Sequence, residues 1–297
     1  MSNKQITILV TGANGQLGNE LQALASHFPE YRFLFVTEED LDITDAVATA
    51  KYFSEHTTDY CINCAAYTAV DKAETEEATA FLINADAVAT LATLCKENNT
   101  QLIHISTDYV FDGTSNQPYI ETDQTNPASV YGKSKLQGEL FALQNCPSAI
   151  IIRTAWLYSS FAYNFVKTML RLMQEKESMP ADRQGINVVS DQFGCPTYAA
   201  DLAFAIMKII ESKKSNKNPG VYHYTNTGVT NWYEFAVSIK NKTNSNCAVN
   251  PISTAQYPTA AKRPAWSVLD TSKIKEVFSL SIPCWEDSLS KCLALIP

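Results

Sequence analysis

Five short runs in the first half of the chain are almost wholly apolar and rich in β-branched residues. They are "ITILV" from Ile6, "RFLFV" from Arg32, "YCINC" from Tyr60, "LIHIS" from Leu102 and "AIIIR" from Ala149. A strand with one wet face alternates polar and apolar residues; a strand covered on both faces does not. These runs therefore predict a sheet buried on both sides. Between them, in "GQLGNELQALASHF" and "ATAFLINADAVATLATLCKENN", apolar positions recur at three and four residues, as in a helix that buries one stripe. Strands joined by helices run parallel. The expected fold class is α/β, a Rossmann-type doubly wound parallel sheet. Regularity fades after residue 155, where "ADRQGINVVSDQFGCPT" and "NPISTAQYPTAAKRPAWSV" read as loops, although helices return in "YAADLAFAIMKIIES" and "WYEFAVSIKN". Residues 1–155 read as a dinucleotide-binding domain completed by residues 198–224. Residues 156–297 read mainly as a smaller, partly interleaved substrate-binding region.

Composition narrows the partners. With 297 residues, 45% of them apolar, the chain is long enough for a sizeable core. A net charge of -8 and the lack of any long Lys/Arg run argue against nucleic acid. The first apolar run is too short for a signal sequence and no stretch approaches a membrane span, so cytoplasm, with no membrane partner, is the expectation. Cys61 and Cys64 form a Cys-x-x-Cys inside a strand-like run, where residues three apart face opposite ways; they read as core residues. His27, His56, His104 and His223 show no ligand spacing, so no metal site is expected from the sequence.

The first strand runs into "TGANGQLGNEL", which places Gly12, Gly15 and Gly18 between strand and helix. A tight turn, a close backbone approach to pyrophosphate and a helix N-terminus rich in free N–H groups all suit that pattern, so nucleotide binding is expected. The second strand ends in "FVTEEDLDI", with Thr37 where an acid often selects NAD(H). Thr37 permits NADP(H), and Glu38 beside it leaves NAD(H) open.

The fourth strand ends in "STDYVFDG", and "SVYGKSKLQGE" follows Asn126 and Pro127. A helix starting near Ser129 sets Tyr131 and Lys135 on one face at i and i+4. A neighbouring ammonium is expected to lower the phenol's pKa and make it a proton relay, while Thr107 polarises a carbonyl.

The glycine turn, the strand-end Ser-Thr and the Tyr-x-x-x-Lys pair together resemble the extended short-chain dehydrogenase/reductase family. The resemblance implies hydride transfer between nicotinamide and a sugar carbon, with Tyr131 as proton donor, Lys135 also on the nicotinamide ribose and Thr107 on the substrate oxygen. "CAAYTAVDKAE", "STDYVFDG", "VYGKSKLQGE", "RTAWLYS", "NFVKTML", "DQFGCPTYA" and "YPTAAKRPAWSVLDT" are similar to the branch of that family that reduces dTDP-linked 4-keto-6-deoxyhexoses at C4. By that resemblance Gly12, Asn14, Gly15, Gln16 and Leu17, Asp42 with Ile43, and Ala65, Ala66, Tyr67 and Thr68 line the cofactor with Tyr131 and Lys135. Thr107, Asp108 and Trp156 contact the sugar. Related dehydratases carry Thr-Asp-Glu where this chain has Thr107-Asp108-Tyr109, so no base stands ready for the C5 proton and simple reduction is expected. Two alternatives stay open: a nucleotide-binding regulatory subunit without turnover, similar to the β subunit of methionine adenosyltransferase, and a reductase of another nucleotide sugar. Some family members dimerise through a magnesium site built from carboxylates. A homodimer is thus one expectation, with Glu20 and Asp201 the carboxylates to examine, although both read as solvated helix residues.

Overall fold

The structure, a computed structural model, describes residues 5–180 and 185–296. The amino-terminal four residues and the start of the loop expected at 181–184 lie outside the described residues. Strands β1 (Ile6–Thr11), β2 (Tyr31–Val36), β3 (Tyr60–Asn63), β4 (Gln101–Thr107) and β5 (Ile150–Thr154) alternate with helices. These helices are α1 (Gln16–Ala25), α2 (Ala46–Glu55), α3 (Val70–Ala73), α4 (Glu77–Phe81), α5 (Ala87–Glu97) and α6 (Val130–Asn145). Then come β6 (Leu157–Tyr158), α7 (Phe165–Glu177), β7 (Gly185–Val189), β8 (Phe193–Gly194), β9 (Thr197–Tyr198), α8 (Ala199–Glu211) and β10 (Gly220–His223). The chain closes with β11 (Thr230–Asn231), α9 (Trp232–Lys242), β12 (Ala248–Ile252), α10 (Ser272–Phe278) and α11 (Trp285–Leu293).

The expected α/β class and parallel sheet are observed. Six strands lie in the order β10-β5-β4-β3-β1-β2, and every neighbouring pair is parallel. Alternate residues feed two cores: Ile8, Val10, Ile150 and Ile152 face α1, α8 and α10, while Leu9 and Ile151 face α2, α5 and α6. Each such fully buried aliphatic side chain contributes about 1.5–3 kcal/mol. Cys61 and Cys64 pack on opposite faces, and both are free thiols. One expectation fails: β2 is not buried on both sides. It is the sheet's edge, and most of its residues are only half-buried, because its apolar run of Phe and Leu is covered by helices without a strand beyond it.

Strand order reverses between β1, which is followed by the outer strand β2, and β3, on its other side. That switch point puts a crevice at the carboxyl ends of β1 and β3. The apolar stretch predicted as a single helix is helical from Glu77 to Glu97 with a wider π turn at Leu82–Asp86. By length and hydropathy this segment could cross a membrane, but Ala80, Ala85, Val88, Leu91, Ala92 and Cys95 are buried in the protein core. Its π turn presents Asn84, whose side chain accepts from the Tyr67 N–H at 2.9 Å and donates to the Ser134 hydroxyl at 3.0 Å.

Helix α6 starts where expected, with Ser129 accepting from the Gly132 N–H at 3.1 Å as its N-cap. Its buried face is Gly132, Ser134, Lys135, Gly138, Glu139 and Ala142, with no large apolar side chain among them. Small residues let backbones meet: a Cβ on Gly138 would run into the Asn84 carbonyl oxygen of the π turn. Gly138→Ala is expected to lower stability by about 1–3 kcal/mol through overpacking, read as a lower midpoint in thermal or urea unfolding.

Candidate functional site

The glycine turn forms one wall of the crevice. Gly12 has φ +64, and a Cβ there would lie 2.6 Å from the Ala65 nitrogen, so both conformation and space demand glycine. Helix α1 opens at Gly15 without a side-chain cap, which leaves its first N–H groups for an anion. The crevice encloses about 370 Å³ and is lined by Gly12, Asn14, Gly15, Asp42, Ile43, Ala65 and Ala66 from the expected set. Glu38, Leu41, Thr44, Cys64, Thr79, Leu82 and Ile83 also line it. Its charged side chains are Glu38 and Asp42, both carboxylates. Thr37 spends its hydroxyl and N–H on Asp40, at 2.8 and 2.9 Å.

Some expected members stand apart. Leu17 is a core residue. The Gln16 side chain turns to the Leu157 carbonyl at 3.3 Å. Tyr67 donates its hydroxyl to Glu76 at 2.6 Å, and Thr68 is exposed. Leu82, Ile83 and Thr79 were missed because their helix looks like ordinary core; only its interrupted period around "LINAD" carried a signal.

At the next strand end, Thr107 and Asp108 are both buried. The Thr107 hydroxyl donates to Asp108 Oδ1 at 3.0 Å, accepts from the Tyr109 N–H at 3.2 Å, and lies beside the Tyr131 phenol, where it stabilises the phenolate. Burial pushes Asp108 up to about 6, against hydrogen bonds from Thr107 and Ser267 that pull it down. The native chain thus holds a proton that the unfolded chain releases at lower pH. Ionising Asp108 in place costs stability, which is regained as pH falls through about 6.

Lys135 is buried, donates from Nζ to the Ile105 carbonyl at 2.7 Å, and is pushed down to about 8 by burial despite the opposing pull of Glu139. The phenol departs from expectation. Burial raises the pKa of Tyr131, Thr107 lowers it only partly, and Asp108 and Tyr109 raise it further. Desolvation is the largest effect on the phenol, and the nearby Lys135 ammonium is committed to a backbone carbonyl. Lys133, between the two, is exposed.

Beneath this group lies an ion pair that sequence reading missed. Arg153 of β5 meets Glu139 of α6 at 2.7 Å, with side-chain exposures of 5% and 2%. The Ser106 hydroxyl donates to Glu139 Oε1 at 2.5 Å. His104 is the buried strand histidine expected, kept neutral by burial and in contact with Asn63 at 3.0 Å.

A second device closes the site from the carboxy-terminal side. Arg263 donates to the Tyr109 hydroxyl at 3.1 Å and to Asp71 Oδ2 at 2.6 Å. Tyr109 packs edge-on against Tyr131, with ring centroids 5.5 Å apart. Trp156, just past β5, has φ +49, a left-handed conformation that bulky residues seldom adopt and that marks strain. Its ring stacks on Trp232.

The carboxylates Glu20 and Asp201 do not fit the expectation of solvated residues. Glu20 is buried, accepts from the Ser159 hydroxyl at 2.5 Å and has its pKa raised by burial, with Asp201 adding to the rise. Asp201 accepts from Asn226 at 2.7 Å and Ser288 at 2.5 Å. Glu20 is thus a buried hydrogen-bond acceptor, whereas Asp201 is half-buried and held by two side-chain donors.

Comparison with known proteins adds a family. The RmlD substrate binding domain family matches residues 6–296. A dTDP-4-dehydrorhamnose reductase of Aggregatibacter actinomycetemcomitans is 39% identical over 295 residues, 97% of this chain and 98% of the relative. The crystal structure of a dTDP-4-dehydrorhamnose reductase from Clostridium acetobutylicum superposes with a TM-score of 0.90 at 40% identity, covering 98% and 99% of the two chains. One from Bacillus anthracis, in complex with NADP, does so with a TM-score of 0.91 at 38% identity and the same coverage.

The ion pair carries its own prediction. Glu139→Ala strands a buried guanidinium whose other nearby partner, His223 Nε2, is 3.5 Å away. A loss of about 3–5 kcal/mol is expected, read from the urea midpoint.

Proposed function

The chain belongs to the RmlD substrate binding domain family, and from that premise we propose that it reduces the C4 ketone of dTDP-4-dehydro-β-L-rhamnose with NADPH or NADH. The product is dTDP-L-rhamnose, so the enzyme takes the last step of dTDP-rhamnose biosynthesis. The observation that carries this reading is the meeting of Thr107, Tyr131 and Lys135 at the carboxyl end of β4.

The residues present suit a nicotinamide dinucleotide. The uncapped start of α1 and the missing Cβ at Gly12 make a cradle for a pyrophosphate. Gly12, Asn14, Gly15, Asp42, Ile43, Ala65 and Ala66 would hold the adenosine and pyrophosphate portions, with Lys135 and Tyr131 at the nicotinamide ribose. When bound, the cofactor supplies the hydride. Tyr131, still protonated at neutral pH, gives its proton to the sugar O4 as negative charge develops there. Thr107, whose single hydroxyl proton is given to Asp108 here, would turn that proton toward the sugar O4. Lys135, one turn further along the same helix face, gives its ammonium to the Ile105 carbonyl and would turn it toward the nicotinamide ribose and the phenolate once the dinucleotide is bound. Asp108, as a carboxylate, accepts from sugar hydroxyls, and Trp156 meets the ring. Tyr109, held by Arg263, fills the place of a carboxylate base, which keeps the reaction to reduction. We assign the cofactor to residues 1–155 together with 198–224, and the sugar mainly to 156–297. A homodimer and a cytoplasmic location belong to the same proposal.

An assay at the nicotinamide absorbance band with dTDP-4-dehydrorhamnose, run with NADPH and NADH in parallel, tests substrate, reaction and cofactor together. Cofactor consumption is expected, and none with either dinucleotide would overturn the reading in favour of a regulatory subunit or a reductase of another nucleotide sugar. Tyr131→Phe is expected to keep cofactor binding and to lose about a hundredfold to ten-thousandfold in turnover. Lys135→Met should lose both affinity and rate, and Lys133→Met neither. In kcat/KM against pH, the acid limb should lie near the point where Asp108 takes up a proton, about 6, and the alkaline limb where Lys135 loses one, about 8. Activity thus falls below the first and above the second. A flat profile across both would remove these two residues from the mechanism.

A further inference from the structure

We propose that Trp232 is a positioning residue: it holds Trp156 as a fixed wall for the apolar face of the deoxyhexose. The inference rests on the reading of Trp156 as a sugar contact and adds a residue outside the catalytic group.

Trp156 leaves β5 in a left-handed conformation, so its ring is set by what it packs against and not by a regular element. The partner is Trp232, with centroids 3.6 Å apart and planes at 12°. Trp232 is itself immobilised. It opens α9 directly after the N-cap Asn231, which accepts from the Glu234 N–H at 2.8 Å. Its ring meets Phe165 at 4.6 Å, and Phe165 stacks on Phe235 at 5.5 Å. A ladder of rings therefore runs from Trp156 into the core of the carboxy-terminal region.

Gly194 of "DQFGCPT" constrains the same ring. A Cβ there would lie 2.7 Å from Trp156 Cε2 and 2.7 Å from the Ser267 hydroxyl. Ser267 also hydrogen-bonds Asp108, so the Trp156 ring and the Asp108 carboxylate share a neighbour. Both tryptophans are only half-buried, leaving aromatic surface for a ligand. Sugar C–H groups and a C6 methyl pack well on such a surface. Stacking on Trp232 orders the ring before the ligand arrives and removes that ordering cost from binding.

The test is steady-state kinetics on the full-length enzyme with the 4-keto nucleotide sugar, alongside thermal unfolding. Trp232→Leu keeps apolar bulk against Phe165 but removes the stack. It is expected to raise the sugar-nucleotide KM by about fivefold to tenfold, with the cofactor KM unchanged and kcat within about twofold. Trp232→Phe, which can still stack, should restore KM to within about twofold. Gly194→Ala displaces the same ring by another route and should raise the same KM by about fivefold or more. Wild-type protein should show a tryptophan exciton couplet in far-ultraviolet circular dichroism, absent from Trp232→Leu. Unchanged sugar KM in a folded Trp232→Leu would overturn the inference while leaving the enzyme assignment intact. An inert wild type would instead defeat the functional reading. If Trp232→Leu does not fold, Trp232→Phe with wild-type KM and Gly194→Ala with a raised one still support the inference; wild-type KM in Gly194→Ala then overturns it.

Discussion

Helix α6 can lie against the sheet in only one register, and the candidate site follows from that restriction. A typical surface helix is held by an apolar stripe, which tolerates small slides. Here the buried face is two glycines, a serine, a lysine, a glutamate and an alanine. Gly138 leaves room for the Asn84 carbonyl, and Glu139 must reach both Arg153 of β5 and Ser106 of β4. Turning the helix by one residue would expose the glycine contact to a side chain and bury an unpaired charge, each costing a few kcal/mol. With that register set, Tyr131 and Lys135 arrive at the end of β4 beside Thr107.

Burial is the second organising force, and it acts differently on each ionisable group. It makes the Tyr131 phenol hold its proton more tightly, makes the Lys135 ammonium lose its proton more readily and brings Asp108 near 6. These shifts share one cause, the low-dielectric floor formed where two strand ends meet a helix of small residues. The same floor keeps His104 neutral. A site made from groups titrating on either side of neutrality thus comes from packing and not from unusual chemistry in any side chain.

Much of this was legible in the chain itself. Five apolar runs marked five of the six sheet strands, because a strand covered on both faces cannot hide its composition. The glycine turn was legible because Gly12 is demanded by conformation and by the Ala65 backbone together. Tyr131 and Lys135 were legible because helical period and a Ser129 cap locate them. Edge position was not: β2 reads like a central strand since its side chains pack on helices just as apolar as those over β4. Nor were the partners of Glu139 and Glu20, for a carboxylate on a helix looks solvated until the opposing strand or loop is known.

Local pattern by itself determined the alternation of strands and helices, the nucleotide turn and the proton-donor helix, since each depends on residues within a few positions of one another. Tertiary structure alone decided what is separated in sequence by tens to hundreds of residues. It paired Arg153 with Glu139, clamped Arg263 across Asp71 and Tyr109, and stacked Trp156 on Trp232. It also reversed the expected direction of the Tyr131 shift. Spacing places a lysine near a phenol, but only the packed fold reveals that the ammonium is turned to a backbone carbonyl and that lost solvation is the largest effect on the phenol.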